Sequence, residues 1–385
     1  MSTSLASKKS ILIFLGSLTG GGAERVAVAL AGFLAKDKSF NVTLVTLDNK
    51  DRDFYTLDKA VKRVAMDKGG ETSGLAKFTS NIKRVTSFRF VLKNEKPDLV
   101  IAFMTRYAVI ALLASMFTKI RVIVSERNYP PHRKNHGMWE ALRKYVYRFA
   151  DLHIVQTELI ADWIKKNTKS NMVRVIPNSI TWPLPKLPPT IETDSVLKDG
   201  DRVILAAGTF KHQKGFDLLL ESMKTVMKES QNWKLVILGD EKYTNYLTEA
   251  YNEFIAQNDL TDKVIMPGRA GNVKDWYERA EIFVLSSRYE GFPNVLLEAM
   301  SSGCACVSFD CKTGPAELIT EGYNGFLIPD GDTDLLAKYV LRLMQDNSLR
   351  ERLSSNAISV RETYSEEKIM NMWKKQINKV LLGSP

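Results

Sequence analysis

The chain has 385 residues, of which 44% are hydrophobic and 25% are charged, which is typical of a soluble globular protein with two domains and excludes a disordered or fibrous chain. No apolar run approaches the roughly 20 residues that span a bilayer, and the start of the chain lacks the apolar core of a signal peptide, so we expect a cytoplasmic protein. The three cysteines, Cys304, Cys306 and Cys311, form no CxxC pair, which indicates buried reduced thiols rather than a metal site.

The net charge of +10 is divided unevenly along the chain. Residues 1–180 contain 30 lysines and arginines against 15 acidic residues, whereas the remainder contains 24 against 29. The surplus of +15 in the first half indicates that this half faces an anionic partner. Nucleic acid, an acidic membrane surface and a lipid that carries a pyrophosphate all fit this observation.

The first half alternates short apolar runs, which predict strands, with longer helical patterns. Strands are predicted at 11–15, 42–47, 61–66, 99–103, 122–125, 153–156 and 173–176. Helices are predicted at 23–35, 75–93, 107–117, 139–149 and 159–166. Such alternation favours a parallel sheet that is covered on both faces. The loop after the first strand reads GSLTGGGAER, which lacks the GxGxxG spacing and so disfavours a nicotinamide enzyme.

The segment 75–96 combines a basic surface with an apolar stripe. It carries six cations against one acid, Glu95, and among the cations are Lys83, Arg84 and Arg89. The apolar residues recur every three to four positions, at Leu75, Phe78, Ile82, Val85, Phe88 and Leu92. A basic amphipathic helix of this kind indicates binding to a membrane surface, and a second group of residues extends the patch: Trp139, Lys144, Tyr145, Arg148 and Phe149. The alternative is that the stripe packs on the sheet while the cations are only solvated.

A second domain begins after a proline-rich segment. Four prolines within 181–190 predict a semi-rigid linker, which we place at 183–200 between domains at 1–182 and 201–364. Further strands are predicted at 202–207, 233–239, 263–267, 282–287, 304–309 and 326–329. The final segment, 365–385, has apolar residues at helical spacing and is expected either to pack on the first domain or to cap its own. Small molecules bind such sheets at the carboxyl ends of the strands.

The segment 286–300 places two carboxylates, Glu290 and Glu298, on either side of a strand-to-helix junction. Pro293 suits the first helical position, and Gly303 ends the helix. A helix that starts just beyond a parallel strand presents free N–H groups, and such a terminus binds phosphate. Two acceptors beside a phosphate site suit a nucleoside-diphosphate sugar, with ribose at one end and hexose at the other. The alternative is that both glutamates are ordinary surface charges.

These residues resemble a known family. Segment 286–300 resembles the Glu-x7-Glu motif of retaining nucleotide-sugar glycosyltransferases of GT-B architecture, and further matches follow along most of the chain, at 20–25, 208–217, 236–240, 264–269 and 325–329. The resemblance implies an α/β fold of two doubly wound Rossmann-like domains that face each other across a cleft. It also implies that the last helix crosses back to the first domain.

The resemblance assigns roles to the residues of the second domain. Glu290 is expected to contact hydroxyls of the donor hexose, Glu298 to accept the ribose hydroxyls, and Lys214 to neutralise charge on the leaving diphosphate. The family commonly has an arginine where this chain has Thr209, and Arg269 is expected near the base. Lys211 and Arg269 are candidates for the missing cation. The remaining expected donor contacts are Gly291, Phe292, Pro293, Asn294, Val295 and Leu296.

In the first domain the resemblance concerns two loops. The glycine-rich loop, Gly20, Gly21 and Gly22, is expected to let backbone approach the donor and acceptor. Many relatives carry a histidine after the fifth strand, whereas this chain reads Ser-Glu-Arg-Asn, which places Glu126, Arg127 and Asn128 at the cleft. That variant resembles a bacterial branch that builds polyprenol-linked oligosaccharides, including N-acetylgalactosamine transferases. The four histidines are therefore interpreted as structural or solvated.

Taken with its resemblance, the sequence predicts a metal-independent, retaining glycosyltransferase that needs no cofactor beyond its UDP-sugar substrate. The expected transfer is of an N-acetylhexosamine, with GalNAc favoured, to a polyprenyl-diphosphate-linked glycan on an anionic membrane at the inner face of the cell membrane, with no nucleic acid involved. Alternatives are a lipopolysaccharide-core transferase that uses another UDP-hexose, a non-hydrolysing sugar-nucleotide epimerase, and a non-enzymatic polyanion binder.

Overall fold

The chain folds into two compact units. The computed structural model describes residues 8–69, 75–132, 138–170, 172–228, 232–240 and 245–383. Unit 1 consists of residues 1–178 and 367–385, and unit 2 of residues 179–366. No helix within the described residues is long and apolar enough to cross a membrane.

Unit 1 contains a seven-stranded, wholly parallel sheet in the strand order β3-β2-β1-β4-β5-β6-β7. Its strands are β1 (Lys9–Leu15), β2 (Phe40–Thr46), β3 (Lys62–Ala65), β4 (Leu99–Phe103), β5 (Arg121–Ser125), β6 (Leu152–Val155) and β7 (Val173–Val175). The helices between them are α1 (Gly22–Ala35), α2 (Leu75–Glu95), α3 (Thr105–Ser115), α4 (Met138–Val146) and α5 (Glu158–Thr168). The predicted parallel sheet of the first half is therefore confirmed.

The strands of unit 1 are apolar throughout because both faces of the sheet are covered. Successive side chains of β1 point to opposite faces, so Ile11 and Ile13 pack with α1 whereas Leu12 and Phe14 pack with α2 and α3. On the second face the ring of Phe14 stacks on Phe88 of α2, with 3.9 Å between the ring centroids. This double burial explains why the sequence shows continuous apolar runs rather than alternation.

Unit 2 contains a six-stranded parallel sheet in the order β10-β9-β8-β11-β12-β13. Its strands are β8 (Arg202–Ala207), β9 (Trp233–Leu238), β10 (Val264–Gly268), β11 (Ile282–Leu285), β12 (Ala305–Phe309) and β13 (Phe326–Ile328). Its helices are α6 (Phe216–Lys228), α7 (Tyr246–Gln257), α8 (Val273–Arg279), α9 (Asn294–Ser302), α10 (Pro315–Leu318), α11 (Thr333–Gln345), α12 (Asn347–Ala357) and α13 (Val360–Thr363). The order reverses between β8 and β11, and ligands bind beyond the carboxyl ends of strands at such a switch point.

The proline-rich segment belongs to unit 2 rather than forming a free linker. Leu184 and Leu197 are buried in the unit 2 core, and the Asn272 side chain is hydrogen-bonded to both the N–H and the carbonyl of Ile191, at 2.9 and 3.0 Å. The expected linker at 183–200 is therefore wrong, and unit 1 ends at residue 178 rather than 182. The reason is that Leu184, between two of the prolines, and Leu197, beyond them, pack into that core.

The last helix, α14 (Glu366–Leu382), packs with the sheet of unit 1. Its apolar side chains Ile369, Met370, Trp373 and Ile377 are buried beside β1 and β4. The ring of Trp373 stacks on Phe103 at 6.0 Å. Of the two outcomes expected for the end of the chain, the return to the first domain is the one observed.

Candidate functional site

The first element of the site is the loop after β8, which ends in a short 3₁₀ turn at His212–Lys214. Gly215 follows with φ +62°, and a Cβ there would lie 2.1 Å from the carbonyl oxygen of Ser286. Only glycine permits both this left-handed conformation and this close approach. A Cβ on Gly208 would lie 3.1 Å from Cε of Lys214, so the lysine side chain runs directly over that glycine.

Lys214, which is half-buried, and Glu290 form an ion pair, although they are 76 residues apart in the chain. Nζ of Lys214 donates to Oε1 of Glu290 at 2.7 Å, and the Ser287 hydroxyl donates to the same oxygen at 2.7 Å. Glu290 is only 6% exposed. The hydroxyl of Thr313 donates to the backbone carbonyl of Glu290 and so anchors the loop that carries this glutamate. The structure thus brings together the two residues that the sequence predicted as catalytic.

A second ion pair joins the loop that carries Glu290 to the start of α6, three residues beyond Lys214. Arg288 donates from both Nη atoms to the Asp217 carboxylate, at 2.8 and 2.6 Å, and from Nη1 to the His212 carbonyl at 2.8 Å. Two further bonds join the loops, from the Arg288 amide to the Gln213 carbonyl (2.8 Å) and from the Gln213 side chain to the Tyr289 carbonyl (2.9 Å). We call Asp217, Arg288 and Gln213 the loop clamp.

Asp217 and Arg288 of the loop clamp shift each other's pKa. Burial would raise the pKa of the Asp217 carboxyl, but the hydrogen bonds and charge of Arg288 hold that pKa below its ordinary value. The same contact raises the pKa of Arg288. Both residues stood inside the motifs read from the sequence, yet no role was predicted for either. Their spacing of 71 residues gives no signal of contact.

Helix α9 begins one residue later than predicted. Pro293 is the N-cap and Asn294 the first helical residue, and no side chain caps this end. The amide of Leu296 donates to the Pro293 carbonyl at 3.1 Å. That amide is therefore engaged within the helix, whereas the sequence predicted that it would contact the phosphate. The helix ends as predicted at Gly303, which has φ +85° and donates to Ala299 and Met300.

Glu298 lies one turn into α9 rather than two, and it is 6% exposed. The Tyr277 hydroxyl of α8 donates to Oε2 of Glu298 at 3.2 Å and also lies 3.2 Å from the Val295 carbonyl. Tyr277 was missed by the sequence reasoning, because nothing in its local pattern distinguishes it from a core aromatic. Of the side chains expected near the diphosphate and the base, Thr209 is half-buried after β8 and Arg269 is exposed after β10.

The glycine-rich loop of unit 1 is organised by Glu24. This carboxylate accepts hydrogen bonds from the Ser17 hydroxyl at 2.6 Å and from the amides of Gly20 and Gly21 at 2.8 and 3.0 Å. Two amides of the loop are therefore used within the loop itself. Gly22 follows as the first residue of α1.

The Ser-Glu-Arg-Asn segment lies at the carboxyl end of β5. Oε2 of the buried Glu126 accepts from the hydroxyls of Thr105 and Tyr147, both at 2.8 Å. Burial, and secondarily the charge of Glu126, raises the pKa of Tyr147 well above its ordinary value. Nη2 of Arg127 donates to Asn178, and the Asn128 amide contacts the sulfur of Met104 at 3.4 Å.

The histidines differ in their surroundings. His153 is fully buried, its Nε2 lies 2.9 Å from the Tyr147 carbonyl, and burial lowers its pKa to about 4, which keeps the ring neutral at pH 7. His212 is exposed in the 3₁₀ turn. The side chains of His132 and His136 lie outside the described residues.

Helix α2 forms as predicted, but one of the cations expected on its surface is buried. Arg84 is only 3% exposed and donates to the Lys68 carbonyl at 3.1 Å and to the Asn81 side chain at 2.8 Å. The expectation of Arg84 as a surface cation is therefore wrong, because its position falls on the packed side of the helix. Lys83 and Arg89 are exposed, beside Phe90, which is 65% exposed.

The apolar stripe of the same helix is only partly buried. Phe88 and Leu92 enter the core, whereas Ile82 is 49% exposed. The side chains of Leu75 and Phe78 lie outside the described residues. In the part of the chain that the structure describes, no group of three His, Cys, Asp or Glu side chains is arranged to hold a metal ion.

Two family descriptions match the chain and adjoin each other. "Glycosyltransferase Family 4" matches residues 20–181, and "Glycosyl transferases group 1" matches residues 189–360. The chain is 26% identical over 373 residues to an amylovoran biosynthesis glycosyltransferase of Erwinia amylovora, covering 96% of this chain and 99% of that protein. It is 27% identical over 371 residues to a Campylobacter jejuni α-1,4-N-acetyl-D-galactosaminyltransferase named for a GalNAc-GalNAc-diNAcBac-PP-undecaprenol substrate, covering 96% and 98%.

Solved structures share the fold at low sequence identity. A sucrose-phosphate synthase of Thermosynechococcus elongatus superposes with a TM-score of 0.82 at 17% identity, covering 98% of this chain and all of that one. The Anabaena protein HepE, solved with UDP and glucose, gives a TM-score of 0.76 at 17% identity over 96% of this chain and all of that one. The predicted pair of Rossmann-like domains is confirmed by these likenesses.

Proposed function

This chain belongs to the GT-B glycosyl transferases group 1 family, and from that membership we propose that it is a retaining, metal-independent enzyme that transfers an N-acetylhexosamine, GalNAc by preference, from a UDP-sugar to a polyprenyl-diphosphate-linked glycan. The observation that carries the proposal is the Lys214–Glu290 ion pair beside the start of α9. That arrangement places one cation and one hydroxyl acceptor next to a helix end suited to phosphate.

The proposed donor contacts follow from the chemistry of these groups. Lys214 neutralises the charge that develops on the leaving diphosphate, and the amides at the start of α9 bind its oxygens. Glu290 accepts hydrogen bonds from hydroxyls of the hexose, and Glu298 from hydroxyls of the ribose. Nζ of Lys214 lies 2.7 Å from Oε1 of Glu290. Donor binding therefore gives the lysine a second anion to neutralise.

Retention of configuration requires attack on the face from which the diphosphate leaves. In the proposed reaction the acceptor hydroxyl forms the new bond to the anomeric carbon while the bond to the diphosphate oxygen breaks. The departing oxygen takes the proton of that hydroxyl on the same face. Lys214 holds the developing charge, so no side chain needs to act as a base.

The acceptor class is supported by relatives and by charge. Two Campylobacter jejuni proteins similar to this chain, at 27% and 26% identity, are named as N-acetylgalactosaminyltransferases of undecaprenol-linked substrates. The charge surplus of the first half, with exposed Lys83 and Arg89 on α2, suits a lipid diphosphate at an anionic membrane. We propose that the enzyme works as a peripheral protein on the inner face of the cell membrane.

A donor screen tests the proposal. The enzyme is incubated with UDP-GalNAc, UDP-GlcNAc, UDP-glucose and GDP-mannose, each with a polyprenyl-diphosphate-linked disaccharide acceptor. We expect transfer from a UDP-N-acetylhexosamine, with the α configuration of the donor retained in the product by NMR. Transfer only from UDP-glucose to lipopolysaccharide core, or epimerisation of UDP-GlcNAc without acceptor, would contradict it.

A further inference from the structure

Arg127 is a buried cation with few partners. It is 5% exposed at the carboxyl end of β5, and its Nη2 donates to the side-chain oxygen of Asn178 at 2.5 Å. Its Nε and Nη1 have no hydrogen-bond partner among the described residues. Three of its five N–H groups are therefore unengaged.

The neighbouring carboxylate is engaged by other groups. Oε2 of Glu126 accepts from the hydroxyls of Thr105 and Tyr147. The face of Phe103 lies under the guanidinium at 5.8 Å, near the limit of a cation–π contact. The ring therefore stabilises the desolvated guanidinium only weakly.

The other buried arginines are better compensated. Arg143 also has no hydrogen-bond partner at Nε and Nη1, but it pairs with the Glu140 carboxylate and stacks on Trp163 at 4.4 Å. Arg350 pairs with Glu281 at 2.9 Å and donates to two further oxygens. Arg84 donates to two oxygens. A buried charge with neither a counter-ion nor a full set of hydrogen bonds costs stability, which makes Arg127 a candidate for a functional role.

The position of Arg127 suits a ligand. β5 lies inside the parallel sheet, between β4 and β6, and ligands bind such sheets beyond the carboxyl ends of their strands. Gln156, at the end of the adjacent β6, donates to the same Asn178 oxygen at 3.1 Å, while its own Oε1 has no partner in the described residues. Two neighbouring strand ends thus hold unengaged polar atoms at one edge.

We propose that Arg127 binds a phosphate oxygen of a substrate diphosphate. The inference rests on the proposed function. Guanidinium–phosphate contacts are short, directional and strong, and they satisfy donors in the fork that Arg127 leaves open. Burial lowers the pKa of Arg127 to about 9, so the side chain remains charged at neutral pH. The diphosphate belongs either to the nucleotide or to the lipid acceptor.

Calorimetric titration with two soluble probes separates these sources. UDP represents the donor diphosphate and farnesyl diphosphate the lipid diphosphate. We expect Arg127→Met to weaken one of them roughly 10- to 100-fold, the range typical of a lost charged hydrogen bond. Because the variant removes an uncompensated buried charge, its melting temperature without ligand should be equal to or higher than that of the wild type.

Arg143→Met is the matched control. Arg143 is as deeply buried but is paired, so its removal should lower the melting temperature and leave both affinities unchanged. If Arg127→Met behaves like this control, Arg127 is structural and the proposal fails. If Arg127→Met does not fold, Arg127→Lys keeps a charge but loses the fork, and we expect about 3- to 10-fold weaker binding of the same probe; unchanged binding overturns the proposal. A wild type that binds neither probe would instead refute the proposed function.

Discussion

At the scale of single residues, the proposed donor site depends on three charged groups with different tasks. Lys214 and Glu290 face each other at 2.7 Å, and Glu298 lies in α9 with its carboxylate held by Tyr277. Because Glu290 is the counter-ion of Lys214, removing either member changes the environment of the other. We therefore expect substitutions of Lys214 and of Glu290 to change the affinity for nucleotide in opposite directions.

We predict that Lys214→Ala lowers kcat by about 100-fold or more, since it removes the main charge stabilising the leaving diphosphate. Steady-state kinetics with the natural donor measures this. Lys228→Ala is the control, because Lys228 is an exposed cation at the far end of α6. Near-normal turnover of Lys214→Ala would show that another cation carries the role.

Removal of the two glutamates should separate sugar binding from ribose binding. We expect Glu298→Ala to weaken UDP binding roughly 10- to 100-fold. Glu290→Ala should leave UDP affinity unchanged or tighter, because it frees Lys214 for phosphate, while turnover falls. Calorimetry with UDP decides the point, and an unchanged UDP affinity in Glu298→Ala would exclude Glu298 from the site.

At the scale of elements, the loop clamp joins the segments that carry Lys214 and Glu290. Arg288 donates to Asp217 at 2.6 and 2.8 Å and thereby joins the loop after β11 to the start of α6, which directly follows the loop after β8. Both side chains are partly exposed, so the ion pair itself contributes little to global stability. Its effect should appear in the geometry of the site.

We predict that Asp217→Asn and Arg288→Met each lower kcat by about 10-fold or more, because misplacement by a fraction of an ångström is costly in a charge-stabilising site. The melting temperature should change little. A double-mutant cycle should show that the effects are not additive, as expected of residues in direct contact. Additive effects, or a loss of stability that matches the loss of activity, would contradict a positioning role.

At the scale of the whole molecule, the two units differ in charge and in proposed task. The first half carries a surplus of +15, and the second half carries the Glu290–Glu298 site. Exposed cations near an anionic surface contribute about 1 kcal/mol each and are screened by salt. Arg84 is buried, and among the described side chains of α2 the exposed cations are Lys83, Arg89 and Lys93.

We therefore predict that reversing Lys83, Arg89 and Lys93 to Glu reduces flotation with anionic liposomes and activity on a polyprenyl-diphosphate acceptor, with donor hydrolysis nearly unchanged. The control reverses three exposed lysines of unit 2, Lys198, Lys228 and Lys338, which changes the net charge equally. If both triple variants lose flotation alike, net charge rather than α2 determines membrane binding.

Metal independence is a further property of the whole enzyme. In the proposed reaction Lys214 and the start of α9 supply the positive charge, so we expect full transferase activity in excess EDTA. The assay is run with and without added Mg²⁺ or Mn²⁺. Activity that is abolished by EDTA and restored by either ion would refute this part of the proposal.

The sequence by itself determined what depends on local pattern. The apolar runs of β1 and β8 predicted buried parallel strands, and the break at Gly303 predicted the end of α9. Strand and helix periods and glycine caps are written in neighbouring residues, so no distant contact is needed to read them. Glu290 and Lys214 were found because they stand within family motifs, and not because their spacing shows that they meet.

Only the tertiary structure decided which side chains meet and which are buried. Arg84 and Lys83 are adjacent in an amphipathic helix, yet one is packed and the other exposed, because the sheet covers only one side of α2. The composition of the proline-rich segment predicted a linker, whereas in the structure Leu184 of that segment is buried in the core of unit 2. Arg288 and Asp217 lie 71 residues apart, and the uncompensated charge of Arg127 depends on partners from other strands. Contacts between distant segments leave no local pattern, so these features follow from packing alone.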